Sequence, residues 1–91
     1  MLVRKKGDWL SAKVGDELVM MSPDSGYYVG LSEVGARIWE LIDTPQDLDS
    51  VCRRLLDEYD IAADICRTEV EAFLNELVKH DAVALDPSPA A

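Results

Sequence analysis

The sequence predicts an α+β domain, with a three-stranded antiparallel sheet at the N-terminus packed on a three-helix bundle. Three observations carry this. The first third of the chain alternates apolar and polar residues between two tight turns. The remainder holds three stretches of apolar residues at helical spacing. The 91 residues leave room for one small domain and no second one beside it.

The strands come first. Leu10, Ala12 and Val14 alternate with Trp9, Ser11 and Lys13, the period-two pattern of a half-buried strand. Gly15-Asp16 suits a two-residue type II′ hairpin, because Gly accepts positive φ. Glu17 to Ser22 makes the second strand, with Leu18-Val19-Met20-Met21 apolar on both faces. Pro23-Asp24-Ser25-Gly26 is the second turn. Tyr27 to Leu31 is the third strand, rich in aromatic and β-branched residues.

The helices follow. Ser32 is a good N-cap, and Val34, Ile38, Leu41 and Ile42 recur at helical spacing behind it. Gly35 costs that helix about 1 kcal/mol relative to Ala, which implies close approach by another segment. After Pro45, Asp47 caps a second helix with the stripe Leu48, Val51, Cys52, Leu55, Leu56 and Tyr59. A third helix runs from about Ala63 to His80, with Cys66, Val70, Phe73, Leu74 and Leu77 on one face. Ala82 to Leu85 reads as a short final strand or an extended tail. Residues 86–91, with two prolines, read as a disordered tail, so the domain is residues 1–85. Two layers around one core give a shape like a winged helix with its wing placed first.

Composition excludes several functions. The chain has 9 Lys and Arg, 18 Asp and Glu, and a formal net charge of -9. That balance opposes nucleic acid and anionic membrane surfaces. Arg4, Lys5, Lys6 and Lys13 offset Asp8, Asp16, Glu17 and Asp24, so the whole net charge follows residue 31. No run approaches the roughly 18 apolar residues of a membrane span, and no signal-peptide core follows the basic start. The chain therefore reads as cytoplasmic, and Cys52 and Cys66 as small buried hydrophobes rather than a disulfide or zinc ligands. No catalytic constellation, metal site or cofactor loop is legible. His80, the one imidazole, sits where a helix C-terminus favours positive charge.

Two features remain. The strand Tyr27 to Leu31 lies at a sheet edge and carries no Lys, Pro or bulge to blunt it. Either the helices and N-terminal arm cover it, or an extended peptide adds beside it as a further strand. On the third helix, Arg67, Glu71, Asn75 and Lys79 form a polar row beside Val70, Leu74 and Leu77. A helix lying across the edge would make one wall of a groove.

The run from Gly26 to Ile42, Gly-Tyr-Tyr-Val-Gly-Leu-Ser-Glu-Val-Gly-Ala-Arg-Ile-Trp-Glu-Leu-Ile, resembles the strand-to-helix signature of the PqqD family. So does Cys66 to Leu77 with its Phe-Leu-x-x-Leu core, and Leu48 to Asp60 fits the family's middle helix. The resemblance spans about residues 8 to 85. It implies a winged helix-turn-helix-like leader-peptide recognition domain for ribosomally made, modified peptides, without catalysis or cofactor. The leader of the precursor would add beside the third strand and pack on the third helix. By that resemblance, the strand contacts are Tyr27, Tyr28, Val29, Gly30 and Leu31. The helix contacts are drawn from Arg67, Val70, Glu71 and Leu74. The implied partners are the precursor leader and either a transglutaminase-like leader peptidase, as in lasso-peptide pathways, or a radical SAM enzyme, as in the quinone-cofactor pathway. The Gly-Tyr-Tyr and Val-Gly-Ala-Arg-Ile-Trp form favours the stand-alone lasso type. Ala62-Ala63 departs from the Asp-Pro that often starts the third helix in relatives. The alternatives are a winged-helix DNA-binding regulator and a small interaction subunit without leader specificity.

Overall fold

The computed structural model describes residues 1–86. It contains two small antiparallel three-stranded sheets and three helices. Strands β1 (Leu2–Lys5), β2 (Leu10–Val14), β3 (Glu17–Met21) and β4 (Tyr28–Leu31) precede helix α1 (Glu33–Leu41). Then come β5 (Gln46–Asp47), α2 (Leu48–Glu58), α3 (Ala63–Lys79) and β6 (Val83–Asp86).

The meander β2-β3-β4 forms where alternation predicts it. Gly15 takes φ +65° between the paired residues Val14 and Glu17. Gly26 takes φ +69° and donates its N–H to the Ser22 carbonyl at 2.8 Å. Both positions use a backbone conformation that glycine reaches without steric cost.

The second sheet, in the order β5-β1-β6, departs from the expected single sheet. The N-terminal arm is a strand, and Ala82 to Leu85 resolves toward a strand rather than a tail. Residue Asp86, read as the start of a tail, closes β6 and accepts a hydrogen bond from Arg4 at 2.7 Å. Residues 87–91 of that expected tail lie outside the described residues. Charge and one apolar anchor explain the pairing. Val3 is fully buried. Its basic neighbours Lys5 and Lys6 reach Asp43 and Asp81 at 3.2 and 3.0 Å.

Local chemistry sets the helix ends. The Ser32 hydroxyl accepts from the Gly35 N–H at 3.2 Å, and the Asp47 carboxylate accepts from the Asp49 N–H at 3.4 Å. At the end of α3, the Ala82 N–H bonds the Leu77 carbonyl and the Asp81 N–H bonds the Val78 carbonyl. Asp81 at φ 60° thus completes a Schellman cap in a position that glycine usually holds.

The core lies between the inner face of β3-β4, the three helices and the β1/β6 pair. Met20, Leu31, Ile38, Leu55, Leu74 and Val83 meet there. A Cβ on Gly35 would stand 3.1 Å from the Phe73 ring, so the close approach implied by this glycine is between α1 and α3. Lys5 lies over the buried Trp39 ring at 4.2 Å.

Candidate functional site

Strand β4 pairs with β3 on one side only, in the register Leu18 to Leu31, Met20 to Val29 and Met21 to Tyr28. In an antiparallel ladder, opposed residues alternate between exchanging hydrogen bonds and pointing away. The two-residue turn at Gly15-Asp16 makes Val14 and Glu17 a bonded pair, so Val19 and Met21 bond toward β2. Leu18 and Met20 therefore bond toward β4. The Ser22 N–H donating to the Tyr27 carbonyl at 3.0 Å continues the same phase. It follows that Tyr27, Val29 and Leu31 bond inward, and the backbone groups of Tyr28 and Gly30 face the free edge.

Side chains alternate across the strand in the other sense. Leu31 is buried and Val29 half-buried against the helical layer. Tyr28 is 65% exposed and shares the outer face with Gly30.

Helix α3 meets the two ends of this strand through Phe73 and His80, while Leu77 between them is 1% exposed and lies in the core. Phe73 packs on Gly35 just past the end of β4. His80 stacks on Tyr27 at its start, with ring centres 4.2 Å apart and planes 23° apart. Trp9 meets Tyr27 in a T-shaped arrangement, with ring centres 6.5 Å apart. These three rings, with Lys6, Lys79 and Asp81, line an open concavity of about 690 Å³ beyond the first residue of the edge.

The structure distributes the expected helix contacts differently. Val70 and Leu74 are each only 1% exposed and belong to the core. Arg67 and Glu71 sit about 120 to 180° around the helix from Phe73 and His80, at 100° per residue. Arg67 donates to Asp49 in the first turn of α2 at 2.6 Å and lies 3.3 Å from Glu71. That hydrogen bond holds the Asp49 carboxyl below, and the Arg67 guanidinium above, their ordinary ranges. Glu71 and Leu74 instead border a concavity of about 180 Å³ with Met1, Leu48 and Leu85. The structure brings Tyr27, at the start of the strand, together with His80 and Trp9, and Phe73 against Gly35 beyond its end, with Arg67 and Glu71 on the other flank of α3. The spacing of Phe73, Leu77 and His80 at i, i+4 and i+7 was the available signal, and Gly35 selects that row.

Elsewhere the chemistry is quiet. Burial pushes the Cys52 and Cys66 thiols above their ordinary value, which suppresses the reactive thiolate. Among the described residues no group of three or more His, Cys, Asp or Glu could hold a metal ion. Nor is any helix there long and apolar enough to cross a membrane.

Comparison with known proteins defines the class. The family described as coenzyme PQQ synthesis protein D (PqqD) matches residues 17–83, so the chain belongs to the PqqD family. Two solved structures share its fold. "TbiB1 in Complex with the TbiA(beta) Leader Peptide" superposes with a TM-score of 0.81 at 24% identity, over 93% of this chain and 99% of that one. "Lasso peptide synthetase B1 complexed with the leader peptide" gives 0.77 at 20% identity, over 91% and 98%. None of the curated proteins compared with this chain matches it.

Proposed function

We propose that this chain is a non-catalytic accessory protein. It binds the leader of a ribosomally synthesised precursor peptide by strand addition along β4 and presents it to a processing enzyme. The observation that carries the reading is the free edge at Tyr28 and Gly30, flanked at its two ends by Phe73 and His80 of α3. A peptide there gains backbone pairing from the edge and side-chain contact with α3. Micromolar affinity, about 8 kcal/mol, is within reach of such a segment. Membership of the PqqD family and the two leader-bound proteins of the same fold support it. Of the two enzyme classes, we favour a transglutaminase-like leader peptidase over a radical SAM enzyme, on the Gly-Tyr-Tyr and Val-Gly-Ala-Arg-Ile-Trp form of the signature.

The test is titration of the ¹⁵N-labelled chain with the leader of a precursor encoded beside its gene. Saturable shifts at Tyr28 to Leu31, with slowed exchange of the Tyr28 and Gly30 amides, are expected. Shifts confined to the flank of Arg67 and Glu71 would overturn the assignment.

A winged-helix DNA reader is the competing use of this architecture. Its reading helix would be α3, where Asp64, Glu69, Glu71 and Glu76 outnumber Arg67 and Lys79. Phosphate would repel that helix, so no salt-sensitive gel shift is expected.

A further inference from the structure

Six of the nine Lys and Arg side chains in this acidic chain lie within 4.0 Å of a carboxylate. Among the described residues, Lys13, Arg53 and Arg54 do not. Lys13 stands on β2, but Arg53 and Arg54 are consecutive on α2, and both are exposed. Each has a carboxylate at helical spacing on its own helix, where such pairs ordinarily meet. Asp49 is at i−4 from Arg53, and Glu58 is at i+4 from Arg54. Both carboxylates are held instead by an arginine of another helix. Arg67 of α3 takes Asp49 at 2.6 Å. Arg37 of α1 takes both oxygens of Glu58, at 2.6 and 2.8 Å. The ion pairs that tie α2 to its two neighbours therefore draw off the local counter-charges of Arg53 and Arg54.

The two guanidiniums left over open on one groove. It lies between α1 and α2, has a volume of about 480 Å³, and is lined by Arg37, Glu40, Gln46, Ser50, Arg53 and Arg54 among others. Arg37 is balanced by Glu58 and Glu40, so two positive charges remain uncompensated there on a chain of net charge -9. The α2 side of the groove, from Ser50 to Arg54, rises about 6 Å, the length of about two residues of extended chain.

We infer that this groove docks an extended segment of a partner protein carrying two neighbouring acidic side chains, one for each of Arg53 and Arg54. A guanidinium donates to a carboxylate in a two-bond fork, the pairing that Arg37 already makes with Glu58. The inference goes beyond the strand-addition reading and does not depend on it, because the groove is built from α1 and α2 and not from β4. A nucleic acid fits poorly. Glu40 lines the groove, Asp57 and Glu58 follow on the next turn of α2, and the whole chain repels a long polyanion. A second copy of the chain brings its own charge of -9 to the same place.

The test titrates the ¹⁵N-labelled chain at low salt with the peptide acetyl-Gly-Ser-Glu-Glu-Ser-Gly-amide, and with its Gln-Gln counterpart. Saturable shifts at Ser50, Arg53 and Arg54, including the Nε–H signals of the two arginines, are expected with the acidic peptide alone. They should fade as salt is raised. Arg53→Gln and Arg54→Gln should each weaken binding about three- to fivefold, and the double variant should abolish saturation. Lys13→Gln should bind as wild type. Arg67→Gln is the sharper variant, because Arg67 does not line the groove. Its loss returns Asp49 to Arg53, so peptide binding should fall about two- to threefold. Thermal melts of the exposed-arginine variants should match wild type, which separates lost binding from lost fold. Absence of saturable shifts in the groove, or shifts that survive the double variant, would overturn the inference. Equal shifts there with inorganic phosphate or a single-stranded oligonucleotide would overturn it in favour of a phosphate site. A dimer in sedimentation that Arg53→Gln dissolves would overturn it in favour of a second copy.

Discussion

Replacing Gly30 with Pro separates the free edge from the sheet that supports it. The Gly30 N–H points away from β3, so its loss removes no ladder bond within the protein. A Cβ at this position meets nothing within 4 Å, and its φ is not positive, so the ring has room. An edge position with an outward N–H is where a strand tolerates proline. Fold stability should therefore change by about 0.5 kcal/mol or less. Leader binding loses one backbone hydrogen bond, about 1 kcal/mol. The ring also obstructs the approaching strand, so a total of about 1.5 to 3 kcal/mol, or roughly 10- to 150-fold in Kd, is expected. Val29→Pro is the contrasting variant. Its N–H bonds inward to β3, so it should cost about 3 kcal/mol of stability, as proline does where it breaks an internal bond. Calorimetry against the leader, with thermal melts, measures both quantities. A Gly30→Pro chain that melts like wild type and binds the leader with unchanged Kd would refute edge pairing at Tyr28 and Gly30.

Four further outcomes follow from the same geometry. Arg67→Ala should leave leader affinity within about twofold, because Arg67 is held by Asp49 on the far flank of α3; a loss above about fivefold by calorimetry would put the peptide on that flank. Gly35→Ala gains about 1 kcal/mol of helix propensity but presses a methyl 3.1 Å from the Phe73 ring, and overpacking of about 1 to 3 kcal/mol should lower the melting temperature. Asp81→Gly relieves a left-handed residue at the end of α3, which should raise stability by up to about 1 kcal/mol, less the small contribution of its exposed pair with Lys6. Hydrogen bonds from Arg67 and Arg37 hold Asp49 and Glu58 below their ordinary 3.8 and 4.5; their stabilisation is complete above those values and lost as pH falls through the lower folded ones, so urea midpoints should drop below about pH 4.5, less steeply in Arg37→Ala.

The meander and the helices were legible because their signals are local. Alternation, the two glycine turns, the Ser32 and Asp47 caps and the 3.6-residue stripes all act within a few residues of themselves. The second sheet was not, because β1 and β6 are about 80 residues apart and each is four residues long. Leu-Val-Arg-Lys reads as a basic arm until Asp81 and Asp86 arrive beside it. The orientation of α3 was hidden for a different reason. The stripe Cys66, Val70, Leu74 and Leu77 marks the direction of the core, but a polar row flanks it on either side. Along the helix, the spacing of Phe73 and His80 hints at their flank but does not say which flank meets the wing. Only the contact of Phe73 with Gly35, two elements away, decides it. The same stripe explains why Val70 and Leu74, proposed as contacts, lie in the core instead.

The second sheet also changes what the charge distribution means. Residues 1 to 31 sum to zero only because Arg4, Lys5 and Lys6 are counted with the wing. In the structure these three side chains leave it and pair with Asp86, Asp43 and Asp81, carboxylates of the acidic two-thirds of the chain. The wing strands then hold Lys13 and Glu17 alone, one charge of each sign. Asp16 and Asp24 lie in its turns, away from the edge ladder. Neutrality at β4 is therefore a property of the strands themselves and not of a sum over the N-terminal third. A peptide approaching Tyr28 and Gly30 meets a strand without charges of its own, while Lys6, Asp8, Asp24, Lys79 and Asp81 stand around the concavity at its first residue. Recognition at such an edge has to come from register and from the shapes that Trp9, Tyr27, Phe73 and His80 leave open beside it. Those four residues belong to three separate segments of the chain, which is why no short motif announces them.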